Sequence, residues 1–322
     1  MKNISDNSSA LIQLQCSFLS RTLAHLSDSQ PSIRIPLMIS SVLNISLAVA
    51  ATSGNALILA AIFKASNLRS PTDVLICALA LTDLGIGILA HPWAAAQNII
   101  NIDKNKNLFC IAAGIHKEAS LCFGVASLLI ITLIAIERYL AVKLRNEFTT
   151  TVTAGRVKKA VFVCFFISAL VTVGDTFELA FNLPVVILIT AICVIVIFFA
   201  YGKIYREIRS RQRRIGANSQ NNQQQIGRGN NPDRNLSSSA TYRRSVNTSI
   251  AISVLLFVCF VPVLCNAVVA NILGRTNKVL LGYEFTKSLL CLNSSLNPWM
   301  YVYRMESYRT AVVELLSRIM CK

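Results

Sequence analysis

Long apolar stretches alternate along the chain with short polar ones, and the apolar stretches are too long for the core of a soluble domain. A membrane helix needs ~20 mostly apolar residues, because ~30 Å of hydrocarbon is crossed at ~1.5 Å per residue. Seven segments meet that need, at about residues 36–63, 72–99, 111–142, 157–174, 179–206, 245–273 and 279–303. Backbone polar groups in lipid must be satisfied within a helix or around a closed barrel. Barrel strands alternate apolar and polar positions over ~10 residues, and these runs do not alternate. The pattern therefore predicts an all-α membrane protein, a bundle of seven transmembrane helices. Between residues 160 and 199 the only charges are Asp175 and Glu178, and a single helix of that length overshoots the bilayer. Gly174-Asp175-Thr176 carries turn chemistry, so a tight turn is expected there between the fourth and fifth spans.

Flanking the bundle, residues 1–35 form a polar N-terminal segment and residues 304–322 a short tail, with the spans occupying 36–303. The first apolar run is already a full span, so no cleavable leader is expected. The loop 210–241 is rich in Asn, Gln, Ser and Arg, with almost no large apolar residue, and is expected to be disordered. Glu306–Met320 has an amphipathic pattern. Tyr308, Val312, Leu315, Leu316 and Ile319 share one face, which suits a helix lying along the inner membrane surface.

Composition agrees: 54% of residues are hydrophobic and 14% charged, against about 45–50% and about 25% in soluble domains. The net charge of +16 does not indicate nucleic-acid binding, because the basic residues lie between apolar runs and not on one folded face. Alternating the spans across the bilayer puts 22 of the 31 Lys and Arg on one side. The positive-inside rule makes that side cytoplasmic and leaves the N-terminus outside. Glycosylation sequons at Asn3 and Asn7 agree with that orientation; a third, at Asn44, falls inside the first span and is discounted. Most of the ten cysteines lie within apolar runs. Cys16 and Cys110 are the soluble-side candidates for a bridge, and the sequence does not prove that they pair.

An ionisable group at membrane depth costs about 2.5–3.5 kcal/mol on the insertion scale. Asp83, in the middle of the second span, therefore needs partners. Asn55, Ser127, Asn293, Ser294 and Asn297 lie at similar depth in other spans. These oxygens suit a small hard cation, or equally a set of hydrogen bonds that locks the helices. Glu137-Arg138-Tyr139 ends the third span on the basic side, either as an interfacial anchor or as a docking element for a partner. Pro262 and Pro298 remove backbone donors in the sixth and seventh spans and kink them. His25, His91 and His116 show no metal spacing and read as incidental.

Taken in order, these residues resemble the rhodopsin-like G-protein-coupled receptor family over nearly the whole chain. The resemblance rests on Gly54-Asn55 in the first span and Leu79-Ala80-Leu81-Thr82-Asp83 in the second. The third contributes Ser127 and Glu137-Arg138-Tyr139, and the fifth Tyr201. Cys259-Phe260-Val261-Pro262 stands in the sixth, and Asn297-Pro298-Trp299-Met300-Tyr301 in the seventh. The stretch after Tyr301 looks most like the adenosine and melanocortin receptor branch. The resemblance implies that Asp83, Ser127, Asn293 and Asn297 hold an allosteric sodium ion, with no other cofactor. It implies that Arg138 pairs with Glu137 at rest and then turns toward a heterotrimeric G protein, with Tyr201 and Tyr301 supporting the active arrangement. It also implies palmitoylation at Cys321, a plasma-membrane location, and arrestin and a receptor kinase as further partners, with Ser237, Ser238, Ser239 and Thr241 as phosphorylation sites.

The chain departs from the family in several places. Phe260 replaces the family tryptophan, the fourth span has no tryptophan, and Cys193 stands at the usual fifth-span proline. The second outer loop has no cysteine, so the family disulfide is not expected. Tyr242 occupies the place of the acidic residue that can lock Arg138, which suggests appreciable basal signalling. The resemblance places the ligand pocket at Glu118, Ser120, Gly124, Asn266, Glu284, Lys287 and Cys291. Ser120 stands at the aspartate of amine receptors and Cys291 at the retinal lysine of visual pigments, with Lys287 one turn away, so neither a biogenic amine nor retinal is expected. Two other functions are weighed against a receptor that is not an enzyme. A transporter or channel usually carries repeats and broken helices along a polar path, and no repeat is visible. An intramembrane enzyme needs a nucleophile and base or a metal cluster, and none is evident.

Overall fold

The computed structural model describes residues 34–64, 70–103, 105–144, 147–177, 182–222, most of 250–272, and 276–320. The helices are α1 (Arg34–Lys64), α2 (Pro71–Gly85), α3 (His91–Asp103), α4 (Lys106–Leu144), the short α5 (Phe148–Thr151), α6 (Ala154–Thr176) and α7 (Asn182–Asn222). They are followed by the sixth-span helix α8 (Ser253–Ala270), then α9 (Asn277–Arg304) and α10 (Glu306–Met320). Among the described residues, six helical stretches are long and apolar enough to cross a membrane. The seventh, α9, is long enough at 28 residues but more polar, because it carries Glu284, Lys287, Ser288, Asn293, Ser294, Ser295 and Asn297.

The apolar surface is arranged for lipid. Met38, Val42, Ile45 and Val49 of α1, Phe162 and Phe166 of α6, and Ile195, Phe198 and Phe199 of α7 are exposed, while Asn44, Asn55, Asp83, His91 and Asn297 are buried. Water would reject this distribution; hydrocarbon favours it. The main core joins Ile58 and Ile62 of α1, Leu75 and Leu79 of α2, Ile130 and Ile134 of α4, and Tyr301 of α9. The surface helix α10 docks into the same core through Tyr308, Val312 and Leu315. Leu316, expected on that face, is 38% exposed, because it lies one residue round the helix from the buried stripe.

Local chemistry sets the helix boundaries. Ser70 caps α2 with a reciprocal capping box to Asp73, and Pro71 occupies the first helical position, where its missing N–H costs nothing. Farther along, the second span contains a π-turn at Ile86–Ala90. Pro92 has no N–H to offer Ile88, and the His91 N–H reaches five residues back to the Ile86 carbonyl. A π-turn beside a proline absorbs one extra residue and rotates the helix beyond it.

Two expectations are corrected. The turn expected at Gly174-Asp175-Thr176 falls later: α6 continues through Thr176 and turns at Phe177. Gly174 is buried inside that helix, Asp175 is tied to Lys117 at 2.5 Å, and the Thr176 hydroxyl donates to the Thr172 carbonyl. Nor does α7 stop where disorder was expected to begin at residue 210; its backbone stays helical to Asn222, the first turn of the continuation being carried by Arg211, Gln212, Arg213 and Arg214, which are good helix formers.

Candidate functional site

Polar side chains inside the bundle collect in three layers. In the middle, Asp83 is wholly buried. Asn297 Nδ2 donates to Asp83 Oδ2 at 2.7 Å, which ties the second span to the seventh. Asn55 Nδ2 donates to the Ser294 carbonyl at 3.0 Å. That carbonyl is available because Pro298, four residues on, has no N–H to bond it. The first and seventh spans approach this closely because residue 54 is glycine: a Cβ there would stand 2.9 Å from Pro298 Cγ. Asp83 Oδ1, Asn55 Oδ1, Ser127 Oγ, Asn293 Oδ1 and Asn297 Oδ1 are buried with no hydrogen-bond partner among the described residues. Buried acceptors without donors are costly, and a set composed of a carboxylate, three amides and a hydroxyl suits a hard cation. The donors fit sodium.

At the inner end, Arg138 and Glu137 are buried. Arg138 Nε lies 2.9 Å from Glu137 Oε2, and Arg138 NH2 donates to Thr72 Oγ1 at 2.6 Å. The Thr72 hydroxyl spends its one proton on Glu137 Oε1 at 2.9 Å. Arginine, glutamate and threonine thus close a ring that holds the guanidinium against the second span. Tyr139 packs edge-on against Phe199 at 6.2 Å. Ser253 of α8 donates to the Tyr201 hydroxyl at 3.2 Å. Tyr301 is fully buried, with its ring 6.2 Å from that of Tyr308. The Tyr308 phenol donates to Asp73 Oδ1. Burial first, then the Asp73 carboxylate, pushes that phenol well above its ordinary range, so it remains a donor. Phe260 and Tyr201 line an apolar cavity of about 200 Å³ between α4, α7 and α8, and Pro262 lies half-buried two residues beyond Phe260.

Sequence reasoning missed most of the outer layer. His91 Nδ1 donates to Asn44 Oδ1 at 3.0 Å. Asn44 Nδ2 in turn donates to the Ser40 carbonyl at 2.8 Å and to Ser288 Oγ at 2.9 Å. Asn98 Nδ2 donates to Ser40 Oγ at 3.2 Å, and His116 Nδ1 donates to the Ala90 carbonyl at 2.9 Å. The two histidines are therefore structural members of a polar layer joining the first, second, third and seventh spans. The π-turn that aims His91 inward leaves only Pro92 as its trace in the sequence. Asn44 is 2% exposed, which agrees with discounting its sequon.

The expected pocket residues separate into two groups. Glu284 pairs with Lys287 at 2.8 Å and accepts from Gln97 Nε2 at 3.4 Å. Ser120 Oγ lies 3.4 Å from His116, and Cys291 is buried beside Ile86, Ala90 and Ala119. Asn266 lies across Gly282, its Nδ2 2.6 Å from where a Cβ would sit. Gly124 is half-buried, with open space where a side chain would go. Glu118, by contrast, groups with Lys117 at 3.8 Å and, through it, with Asp175 of the fourth span. Cys110 is disulfide-bonded; the other described cysteines are free thiols. The expectations at Asn3, Asn7, Cys16, Cys321, Tyr242 and the 237–241 hydroxyls lie outside the described residues. Among the described residues no cluster of His, Cys, Asp and Glu is arranged to hold a metal ion.

The chain is similar in sequence to known receptors. The chain is 30% identical to trace amine-associated receptor 3 of Rattus norvegicus over 121 residues, 38% of this chain and 34% of that one. It is 30% identical to the human adenosine receptor A2a over 137 residues, 42% and 32% of the two chains. It is 33% identical to the human visual pigment-like receptor peropsin over 89 residues, 27% and 25%. The alignments thus span about a third or less of the length of these relatives. The family model described as 7 transmembrane receptor (rhodopsin family) matches residues 54–180 and 173–301. That match runs from Gly54 through Tyr301 and includes Asp83, Arg138 and Asn297, and the chain belongs to the rhodopsin family of seven-transmembrane receptors.

Proposed function

We propose that this protein is a G-protein-coupled receptor of the plasma membrane, with its N-terminus outside and its C-terminus in the cytoplasm. The observation that carries the reading is Arg138, held at the inner end of the third span by Glu137 and Thr72. A buried guanidinium tied by one ion pair and one hydroxyl can be released, and once free it presents five donors to a partner's carbonyls or carboxylates. An extracellular ligand that binds better to the released arrangement shifts the population toward it. The heterotrimeric G protein is the partner that captures this arrangement, and arrestin and a receptor kinase act on it afterwards. Asp83 with the orphan oxygens of Asn55, Ser127, Asn293 and Asn297 would hold a sodium ion, which supplies positive charge to the cage and favours rest. The ligand enters from the outer layer of Ser120, Glu284, Lys287 and Cys291. Lys287 is engaged with Glu284, which argues against a retinal Schiff base, and a visible absorption band after adding retinal would reverse that judgement.

The test is a ligand-library screen read out by G-protein activation, with Arg138→Ala beside the native chain. Activation by at least one ligand or G-protein class, lost in Arg138→Ala, is expected. Activation that survives in Arg138→Ala removes the reading.

A further inference from the structure

The ring around Arg138 has an outer support in the first turn of α2. Thr72, which accepts from Arg138, and Asp73 are adjacent in that turn. Asp73 Oδ2 accepts from the Ser70 backbone N–H and hydroxyl, both at 2.7 Å. Its other oxygen, Oδ1, accepts from the Tyr308 phenol of α10. Asp73 and Tyr308 are both almost fully buried. A buried carboxylate oxygen without a donor is costly, and the phenol is the donor that Oδ1 has. The capping box uses Oδ2; among the described residues the second oxygen bonds to the surface helix. The second span is thereby tied to α10 one residue away from the hydroxyl that holds Arg138.

Resting on the reading of Arg138 given above, we infer that Tyr308 and Asp73 are positioning residues that keep Thr72 in register to hold Arg138 at rest. Breaking the bond leaves the ring of Tyr308 in the core but frees the first turn of α2 to move. Thr72 then holds the guanidinium for a smaller fraction of the time, and the released arrangement gains population. Signalling through Arg138 is thus linked to how α10 sits against the bundle, and forces on α10 at the membrane surface act on the arginine through Asp73.

The experiment uses the full-length chain as Tyr308→Phe, Thr72→Val, the double variant and Arg138→Ala. Tyr308→Phe keeps the ring and removes only the donor. Ligand-free G-protein activation per receptor at the cell surface should rise about tenfold in Tyr308→Phe, because a hydrogen bond to a charged group is being removed from one state. Thr72→Val should raise it as well, and the double variant should not exceed the larger single effect, since the two act in series. Hydrogen exchange on the purified chain, which needs no G protein, should quicken at the amides of residues 72–75 in Tyr308→Phe. Unchanged exchange there, or additive effects in the double variant, overturns the inference. So does a Tyr308→Phe chain that no longer reaches the surface, because the phenol would then be a folding determinant. If Arg138→Ala signals like the native chain, the G-protein reading fails instead, and the exchange measurement alone decides whether Tyr308 positions the turn.

Discussion

At Gly54 one hydrogen atom in place of a methyl group decides how closely two spans meet. A Cβ there would press on Pro298 Cγ at 2.9 Å, and proline is too rigid to yield. Gly54→Ala should therefore destabilise the bundle by ~1–3 kcal/mol through overpacking, seen as a lower Tm of the purified chain in micelles. An unchanged Tm would mean that α1 slides away without cost. Asp83 is tested through its ion. Replacing choline chloride with sodium chloride should raise the Tm of the native chain, because a ligand that binds only the folded form stabilises it. The Asp83→Asn variant should show no difference between the two salts. Sodium stabilisation that persists in Asp83→Asn would mean that the ion acts elsewhere and not at Asp83.

Ser70 shows how a cap controls a whole helix. Its hydroxyl accepts from the Asp73 N–H at 3.2 Å and donates to Asp73 Oδ2 at 2.7 Å, so Ser70→Ala should cost α2 about 1 kcal/mol. Hydrogen exchange confined to the first turn of α2 should accelerate, with the middle of the span unaffected; acceleration spread along the whole span would point to loss of packing instead. The capping pattern of Ser70, Pro71 and Asp73 can be read directly in the sequence, as can the amphipathic stripe of α10. The π-turn before Pro92 cannot. Proline announces a break in the ladder, but a kink, a stop and an inserted residue all satisfy it equally, and only the packing of His91 against Asn44 selects the last.

Across the molecule, the arrangement of the spans carries a prediction about sidedness. With tags at both ends of the intact chain, antibody should stain only the N-terminal tag on unpermeabilised cells. Staining of both ends would mean an even number of crossings and would remove the reading of Arg138 as cytoplasmic. The bridge at Cys110 lies near the N-terminal end of α4. Its reduction should lower the Tm, since a cross-link restricts the unfolded chain, whereas the free thiols inside the spans should add nothing to that loss.

Hydrophobic run length and the cost of burying charge were enough to announce the spans and the carboxylate of the second span, and the count of basic residues by loop to raise an expectation of their sidedness. Those are local and one-dimensional properties: length against bilayer thickness, basic residues counted by loop, one acid in a run of apolar neighbours. Which polar groups meet was not contained there. His91, His116, Asn98 and Ser40 look like scattered polar residues until four spans converge on them, and Glu118 falls in with the fourth span through a one-residue difference in helical facing. Tyr308 reads as one apolar position of a surface stripe, and its hydrogen bond to Asp73 spans 235 residues of sequence. Packing brings such groups together, because in lipid a polar atom that its own helix does not satisfy is best paired on another helix, and no spacing along a single helix specifies which one.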